Sequence, residues 1–341
     1  MPYYLGIDGG GTKTTCAVGD ESRLLATATA GPSNIVRVGE AIARESLRQS
    51  VSQACVAAGI TPAQVSHTCV GGAGAARPEL AEIVRRSLTE ILPTPIDVVG
   101  DMQIALEAAF DTGPGVIVNA GTGSFAYGRD QQGAAVRAGG WGFAIGDEGS
   151  AHWIGRAAVS AVLRAADPRT ADSRIADPRV ADPRVADLRD GTPESDSLPG
   201  SSLSAALLKA WGVTSLVDLA RAANSIPSPD FSALFPAVAA SSDDLATQVL
   251  SKAGRELAEV AAVVIRRLFS KGHTSRVPVA MIGGVFRHAP LVCQVFYNEL
   301  RVLDSRAEVN LQVVEPVEGA LRMARRNVGR TRLSAAFDSR F

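Results

Sequence analysis

Leu5-Gly-Ile-Asp-Gly-Gly-Gly-Thr-Lys-Thr-Thr-Cys-Ala-Val18 sets three consecutive glycines, an acid, a lysine and three threonines between two apolar runs. A glycine run lets successive backbone N–H groups converge on one anion. Thr12, Lys13 and Thr14 add hydroxyls and a positive charge, and Gly10 and Gly11 supply the N–H groups. The stretch differs from a Walker A loop: GTKT stands in place of GKT, and a β-like segment follows where a helix is required. A tight hairpin needs neither three glycines nor an acid, so the turn reads as a phosphate grip.

The same pattern returns in Gly115-Val-Ile-Val-Asn-Ala-Gly-Thr-Gly-Ser-Phe-Ala-Tyr-Gly128, again an apolar strand, a Gly/Thr turn and an apolar strand. Each copy continues through a second turn, Gly19–Ser22 or Arg129–Gly133, into a third strand, Arg23–Thr29 or Ala134–Ala138. Two such units about one domain apart predict two related domains, 1–114 and 115–341, facing each other across a ligand cleft. In the second turn Thr122 and Ser124 offer hydroxyls, and Asn119 stands where Asp8 stands in the first. An acid in only one turn suits a single Mg²⁺, a hard cation that takes carboxylate, water and phosphate oxygens.

Between and after these units the pattern alternates strand with helix. Helical spacing covers Ala41–Ala58, Glu79–Leu92, Met102–Phe110, Ser150–Ala165, Ser202–Trp211, Ser215–Ala223, Pro236–Ala240, Asp243–Ser270, Pro290–Leu303 and Gly319–Arg326. Further strands are expected at Val65–Val70, Ile96–Val99, Val277–Ile282 and Val309–Val314. The class is α/β. Ala166–Asp190 is five near-copies of a pentapeptide, ADPRT-ADSRI-ADPRV-ADPRV-ADLRD. Repeated Pro and alternating Asp/Arg cannot sustain a helix, so 166–201 reads as a low-complexity surface insertion.

Composition narrows the function. The 341 residues are 46% apolar and 20% charged with a net charge of −1, which argues against a general nucleic-acid binder. The cysteines, Cys16, Cys55, Cys69 and Cys293, lie far apart with no CxxC pair. Scattered thiols fit a reducing cytosol, and no apolar run is long enough to span a bilayer. Met1-Pro-Tyr-Tyr enters the first strand without a leader-like segment. The expectation is a cytoplasmic protein that binds neither membrane nor nucleic acid.

Two sites stay open on local grounds. Asp101 ends the strand Ile96–Val99, where open α/β sheets put their ligands, yet Asp there also serves as a helix N-cap. Ile282-Gly-Gly284 reads as a nucleotide turn or as a plain connection. Gly139-Gly-Trp-Gly-Phe-Ala-Ile-Gly-Asp-Glu-Gly-Ser150 points to ligand contact, because so many glycines around Trp141, Asp147 and Glu148 imply close backbone approach. Trp141 as core and the acids as helix-start charges before an N-cap Ser150 are the alternatives.

Asp8-GGGT-Lys13, Pro32-Ser-Asn34, Gly100-Asp101, Asn119-AGTGS124, Gly139-GWG-Phe-Ala-Ile-GDEGS150 and Ile282-GG284, taken in this order, resemble the actin-like (ribonuclease H-like) sugar kinase/ATPase superfamily. Within it the chain is similar to the N-acetylglucosamine kinase group, placed with the BadF-type ATPases. The resemblance implies a general base at Asp101 and a sugar held by Asn34, Gly123, Gly140, Trp141 and Asp147. It implies phosphate contacts at Thr12 and Thr122, the adenosine side of ATP at Gly283-Gly284, and Mg²⁺ served by Asp8 through water. N-acetylglucosamine becomes the expected acceptor, glucosamine and N-acetylmuramic acid the alternatives. Helices of the second domain become the expected surface of a homodimer. Relatives that activate radical dehydratases hold an iron–sulfur cluster through cysteines beside the glycine motifs. Here Val-Phe-Arg follows Gly283-Gly284, and Cys293 falls inside a predicted helix. Sugar-sensing regulators of this fold carry an added DNA-binding segment, and no helix-turn-helix precedes the first strand.

Overall fold

The computed structural model describes residues 1–72, 74–75, 77–167, 201–269 and 276–326. Most of the pentapeptide insertion therefore lies outside the described residues. The first sheet holds β1 (Tyr3–Gly9), β2 (Thr14–Gly19), β3 (Leu24–Ala30), β4 (Val65–Gly72) and β5 (Ile96–Gly100), in the order β3-β2-β1-β4-β5. The second holds β6 (Gly115–Ala120), β7 (Ser124–Arg129), β8 (Ala135–Gly139), β9 (Val277–Ile282) and β10 (Ala307–Val314), in the order β10-β9-β6-β7-β8. The two orders are one topology. In each, three antiparallel strands form a meander and two parallel strands extend it on the other side of the first strand. Asp8 and Asn119 take the same place, next to last in β1 and β6. The repeat seen in the sequence is a repeat of structure.

Helices cover the sheets because the apolar parallel strands need shielding on both faces. The first sheet carries α1 (Ile35–Ala57) and α2 (Pro78–Thr89) on one face. Leu47, Val51 and Ala54 of α1 pack there on Leu5, Ile7, Cys16 and Val18. α1 begins earlier than the predicted Ala41 and is broken at Gly39, whose φ of 79° interrupts the ladder. The helical spacing was legible only beyond that kink.

The second half holds α4 (Ala151–Ala165), α5 (Ser202–Trp211), α6 (Leu216–Ala223), α7 (Phe235–Ala239), the long α8 (Asp244–Leu268), α9 (Gly284–His288) and α10 (Pro290–Leu303); α8, α9 and α10 lie on the second sheet, and α5, α6 and α7 pack on α4. Ser150 caps α4 as expected, accepting from the Trp153 N–H at 3.1 Å. Among the described residues no single helix is long and apolar enough to cross a membrane.

Two helices join the halves. One side of α3 (Asp101–Phe110) buries Ile104 with Tyr4, Ala17 and Cys69; its other side buries Ala105 and Leu106 with Ile117, Ala280 and Ile282 of the second sheet. α11 (Pro316–Arg326) returns to the first sheet, packing on β1, β4 and α3. The segment 115–341 thus includes a helix that belongs in space with the first sheet. Gly319 permits the approach: a Cβ there would lie 1.9 Å from the Ile104 carbonyl oxygen. Arg326 then pairs with Glu107, 3% exposed, at 2.6 Å. α3 is held between the halves, and its first residue is Asp101.

Candidate functional site

Each meander closes on a short turn at the carboxyl end of its first strand. In the first turn the Gly10 N–H donates to the Lys13 carbonyl at 3.0 Å; in the second the Gly121 N–H donates to the Gly123 carbonyl, also at 3.0 Å. The turns meet: Thr12 Oγ1 and Thr122 Oγ1 are 2.5 Å apart. Two hydroxyls 110 positions apart in the chain are thus brought into hydrogen bonding.

Asp8 and Asp101 lie below the first turn, at the carboxyl ends of β1 and β5. β4 runs between them and ends there in Gly71 and Gly72, so no side chain rises from the intervening strand. Asp8 is half-buried. Burial first, then the Asp101 carboxylate and more weakly Glu315, push its carboxyl up to about 7, while Lys13 pulls the other way. Asp101 is also raised, chiefly by burial, against the Met102 N–H and Arg137. Two neighbouring carboxylates at strand ends suit a divalent cation, and their oxygens are the hard donors Mg²⁺ takes. Among the described residues no group of three His, Cys, Asp or Glu side chains is placed to hold a metal, so phosphate and water would have to complete such a shell.

Asp101 is the first residue of α3, and Gly100 occupies the N-cap position. Its Oδ1 accepts from the adjacent Met102 N–H, at 3.0 Å, rather than from an N–H two or three residues on as a capping side chain does. The capping reading of Asp101 is therefore the weaker of the two left open by the sequence.

Asn34 caps α1: its Oδ1 accepts from the Val36 N–H at 3.1 Å, and its own N–H donates to the Gly10 carbonyl at 3.2 Å. On the second half, Ser124 Oγ donates to the Glu148 carbonyl at 2.7 Å, and the Ala151 N–H donates to the Gly121 carbonyl at 2.9 Å. These bonds fasten the GDEGS segment to the second turn. Asp147, buried at a φ of 61°, accepts from the Gly142 N–H at 3.1 Å. Its Oδ2 lies 2.7 Å from where a Cβ on Gly123 would stand, so a side chain there would displace the Asp147 carboxylate. Burial raises the Asp147 carboxyl, opposed by the Gly142 N–H and Arg137.

The glycine-rich loop between β8 and α4 exposes its apolar residues. Trp141 is 79% exposed and Ile145 81%, so Trp141 is not core. Gly140 is held by the guanidinium of Arg137, which donates to its carbonyl at 2.5 Å. Gly283, at a φ of 101°, lies against the second turn, its missing Cβ 2.4 Å from the Ala120 carbonyl oxygen. Gly284 opens α9 and does not share that contact. The structure thus gathers Asp8 and Asp101 beside the first turn, which carries Lys13, and Asp147 and Gly283 around the second, which carries Gly123.

Arg37, Arg137 and Glu315 escaped the sequence reading. Arg137 sits in a predicted strand whose alternation says only that it faces outward. Glu315 precedes α11 and nears Asp8 only because that helix returns to the first sheet. His152 is a packing residue, set between the Phe143 and Phe231 rings with centroids 4.7 and 5.3 Å away. Cys293 donates its thiol to the Phe286 carbonyl, and Cys16, Cys55 and Cys69 are buried in the first half.

Two copies of one five-stranded unit, facing each other through glycine- and threonine-bearing turns, define the actin-like two-domain class. The chain belongs to the BadF/BadG/BcrA/BcrD ATPase family, whose sequence pattern matches residues 5–324. It is 37% identical over 171 residues to an N-acetylmuramic acid/N-acetylglucosamine kinase of Clostridium acetobutylicum, covering 50% of this chain and 56% of that protein. It is 34% identical over 175 residues to an N-acetyl-D-glucosamine kinase of Dictyostelium discoideum, covering 48% and 55%. The chain thus spans about half the length of the curated relatives it matches. A solved structure of a candidate N-acetylglucosamine kinase from Chromobacterium violaceum superposes with a TM-score of 0.67 at 23% identity, over 95% of this chain and 99% of that one. At that identity the likeness establishes the fold.

Proposed function

We propose that this protein is an ATP-dependent amino-sugar kinase that converts N-acetylglucosamine to N-acetylglucosamine 6-phosphate. The observation that carries the reading is the pair Asp8 and Asp101 on the floor of the cleft, beneath two facing turns. The two curated relatives, kinases of N-acetylated amino sugars, support it.

In this reading ATP lies across the turns. Gly11, Thr12, Lys13 and Thr122 take its phosphates, Gly10 shapes their turn by spending its N–H on the Lys13 carbonyl, and Gly283-Gly284 take its adenosine side. Mg²⁺, served by Asp8 through water, supplies neutralisation of phosphate charge when bound. Asn34, Gly123, Gly140, Trp141 and Asp147 hold the sugar so that its 6-hydroxyl faces both Asp101 and the γ-phosphorus. The hydroxyl oxygen bonds to phosphorus, the bond to the β–γ bridging oxygen breaks, and the hydroxyl proton passes to Asp101. Products are the sugar phosphate and ADP. Phosphoryl transfer asks mainly for positioning and charge neutralisation, and a carboxylate raised toward neutrality is the better base. Closure of the halves excludes water as a competing acceptor.

N-acetylmuramic acid is the second reading, favoured by one observation: the guanidinium of Arg37 stands at the cleft mouth. An activator ATPase draws no support from the cysteines, since three are buried core thiols and the fourth bonds a carbonyl.

The test is Mg²⁺-dependent ADP release from ATP, followed spectroscopically with N-acetylglucosamine, glucosamine, N-acetylmuramic acid, glucose or no sugar. Stimulation by an N-acetylated amino sugar, with a phosphorylated product, is expected. ATP hydrolysis indifferent to sugar would overturn the reading and call for an iron assay.

A further inference from the structure

Asn34 and Arg37 stand one turn apart at the start of α1, and the Arg37 N–H donates to the Asn34 carbonyl at 3.0 Å. The Arg37 side chain reaches back over the first turn, Nη1 lying 3.5 Å from the place a Cβ on Gly11 would take. On its other side Nη2 lies 3.6 Å from Oδ2 of Asp230, a residue of the second half. The ion pair therefore crosses the mouth of the cleft. Phe231, the neighbour of Asp230, packs on His152, and His152 packs on Phe143 of the loop that carries Trp141. Asn34, Arg37, Asp230 and the Trp141 loop thus border one opening.

The pair is loosely made. Its side chains are 41% and 52% exposed, its separation is long, and such pairs add little to stability. Asp230 Oδ1 is engaged elsewhere, accepting from the Ser232 N–H at 3.0 Å and from the Ser232 hydroxyl. A guanidinium presents a planar fork that matches a carboxylate through two parallel bonds, and here a single distant oxygen meets it. A second carboxylate entering the cleft beside Asn34 would find that fork at small cost.

We infer that Arg37 is a specificity residue, its guanidinium binding a carboxylate carried on the amino sugar in exchange for Asp230. The inference rests on the amino-sugar kinase reading and deepens it: the site takes N-acetylated amino sugars bearing an acidic ether substituent as well as neutral ones.

The test compares kcat/KM for N-acetylmuramic acid and N-acetylglucosamine in wild type, Arg37→Ala, Arg37→Lys and Asp230→Asn. Wild type is expected to phosphorylate both. Arg37→Ala should lower the ratio of acidic to neutral sugar about tenfold to a hundredfold, the worth of a hydrogen bond to a charged group. Arg37→Lys should recover part of it, keeping the charge without the fork, and Asp230→Asn should raise the ratio by removing the competitor. An unchanged ratio in Arg37→Ala overturns the inference, including the case where KM for ATP rises alike with both sugars and the guanidinium serves a phosphate. Phosphorylation of N-acetylglucosamine alone also overturns it while leaving the kinase reading in place. If neither sugar is phosphorylated, the kinase reading falls, and the inference with it.

Discussion

Thr12 Oγ1 and Thr122 Oγ1 are 2.5 Å apart, one at the tip of each glycine turn. Each side chain comes from a separate sheet, so this contact joins the two halves at the point where a phosphate chain would lie. A hydrogen bond between two exposed hydroxyls is replaced readily by bonds to water or to phosphate oxygens, and contributes only about 0.5–1 kcal/mol. The cleft is therefore shut by little at the tips of its two turns.

Replacing either threonine with valine keeps shape and removes the hydroxyl. Thr12→Val and Thr122→Val should each unfold within about 1 kcal/mol of wild type. KM for ATP should rise about tenfold in each, with the KM for sugar moving far less. Steady-state kinetics at saturating sugar checks it. A KM for ATP unmoved in both variants would remove the hydroxyls from the phosphate site.

Asp101 tests the base. Asp101→Asn preserves size, and its Oδ1 still accepts the Met102 N–H. The transfer rate should fall by about 10²–10⁴-fold while sugar binding, measured calorimetrically, persists. A near-wild-type rate would take Asp101 out of the role.

Asp147 should show in stability as well as binding. Burial holds its carboxyl above the ordinary range, so from about 3.9 up to that raised value the native state keeps a proton the unfolded chain has lost. Stability from this group therefore falls as pH rises through the window. Asp147→Asn lacks that slope. Without ligand it should be more stable than wild type at pH 7, with the gap closing toward pH 4, and its KM for sugar should rise. Urea midpoints across pH read the first effect; parallel curves would contradict it.

Gly319→Ala strikes the joint between the halves. Its Cβ would meet backbone atoms of α3 at 1.9 and 2.5 Å, which no side-chain rotation relieves. The expected cost is about 2–3 kcal/mol, a fall of roughly 3–4 °C in Tm for a chain of this length. Because α3 carries Asp101, kcat should drop with it. Unchanged melting would show that α11 does not lie as described.

Much of this protein was legible in its one-dimensional pattern. The doubled meander appears as two strand–turn–strand runs because β pairing across short turns is local. Helix starts such as Ser150 and Asp243 were legible too, since a capping side chain satisfies N–H groups two or three residues away. The stretches Asp8–Lys13 and Asn119–Ser124 were legible as glycine turns at strand ends, because such a turn needs only glycines between two apolar runs. What the chain could not disclose locally was which of these stretches meet. Thr12 reaches Thr122, Arg37 reaches Asp230 and Glu315 comes near Asp8 only because α3 and α11 bridge the sheets at backbone distance, through Gly319. Nor could local pattern separate Asp101 the cap from Asp101 the buried carboxylate. That difference lies in desolvation, opposed by the Arg137 guanidinium of β8, both properties of packing between segments far apart in the chain.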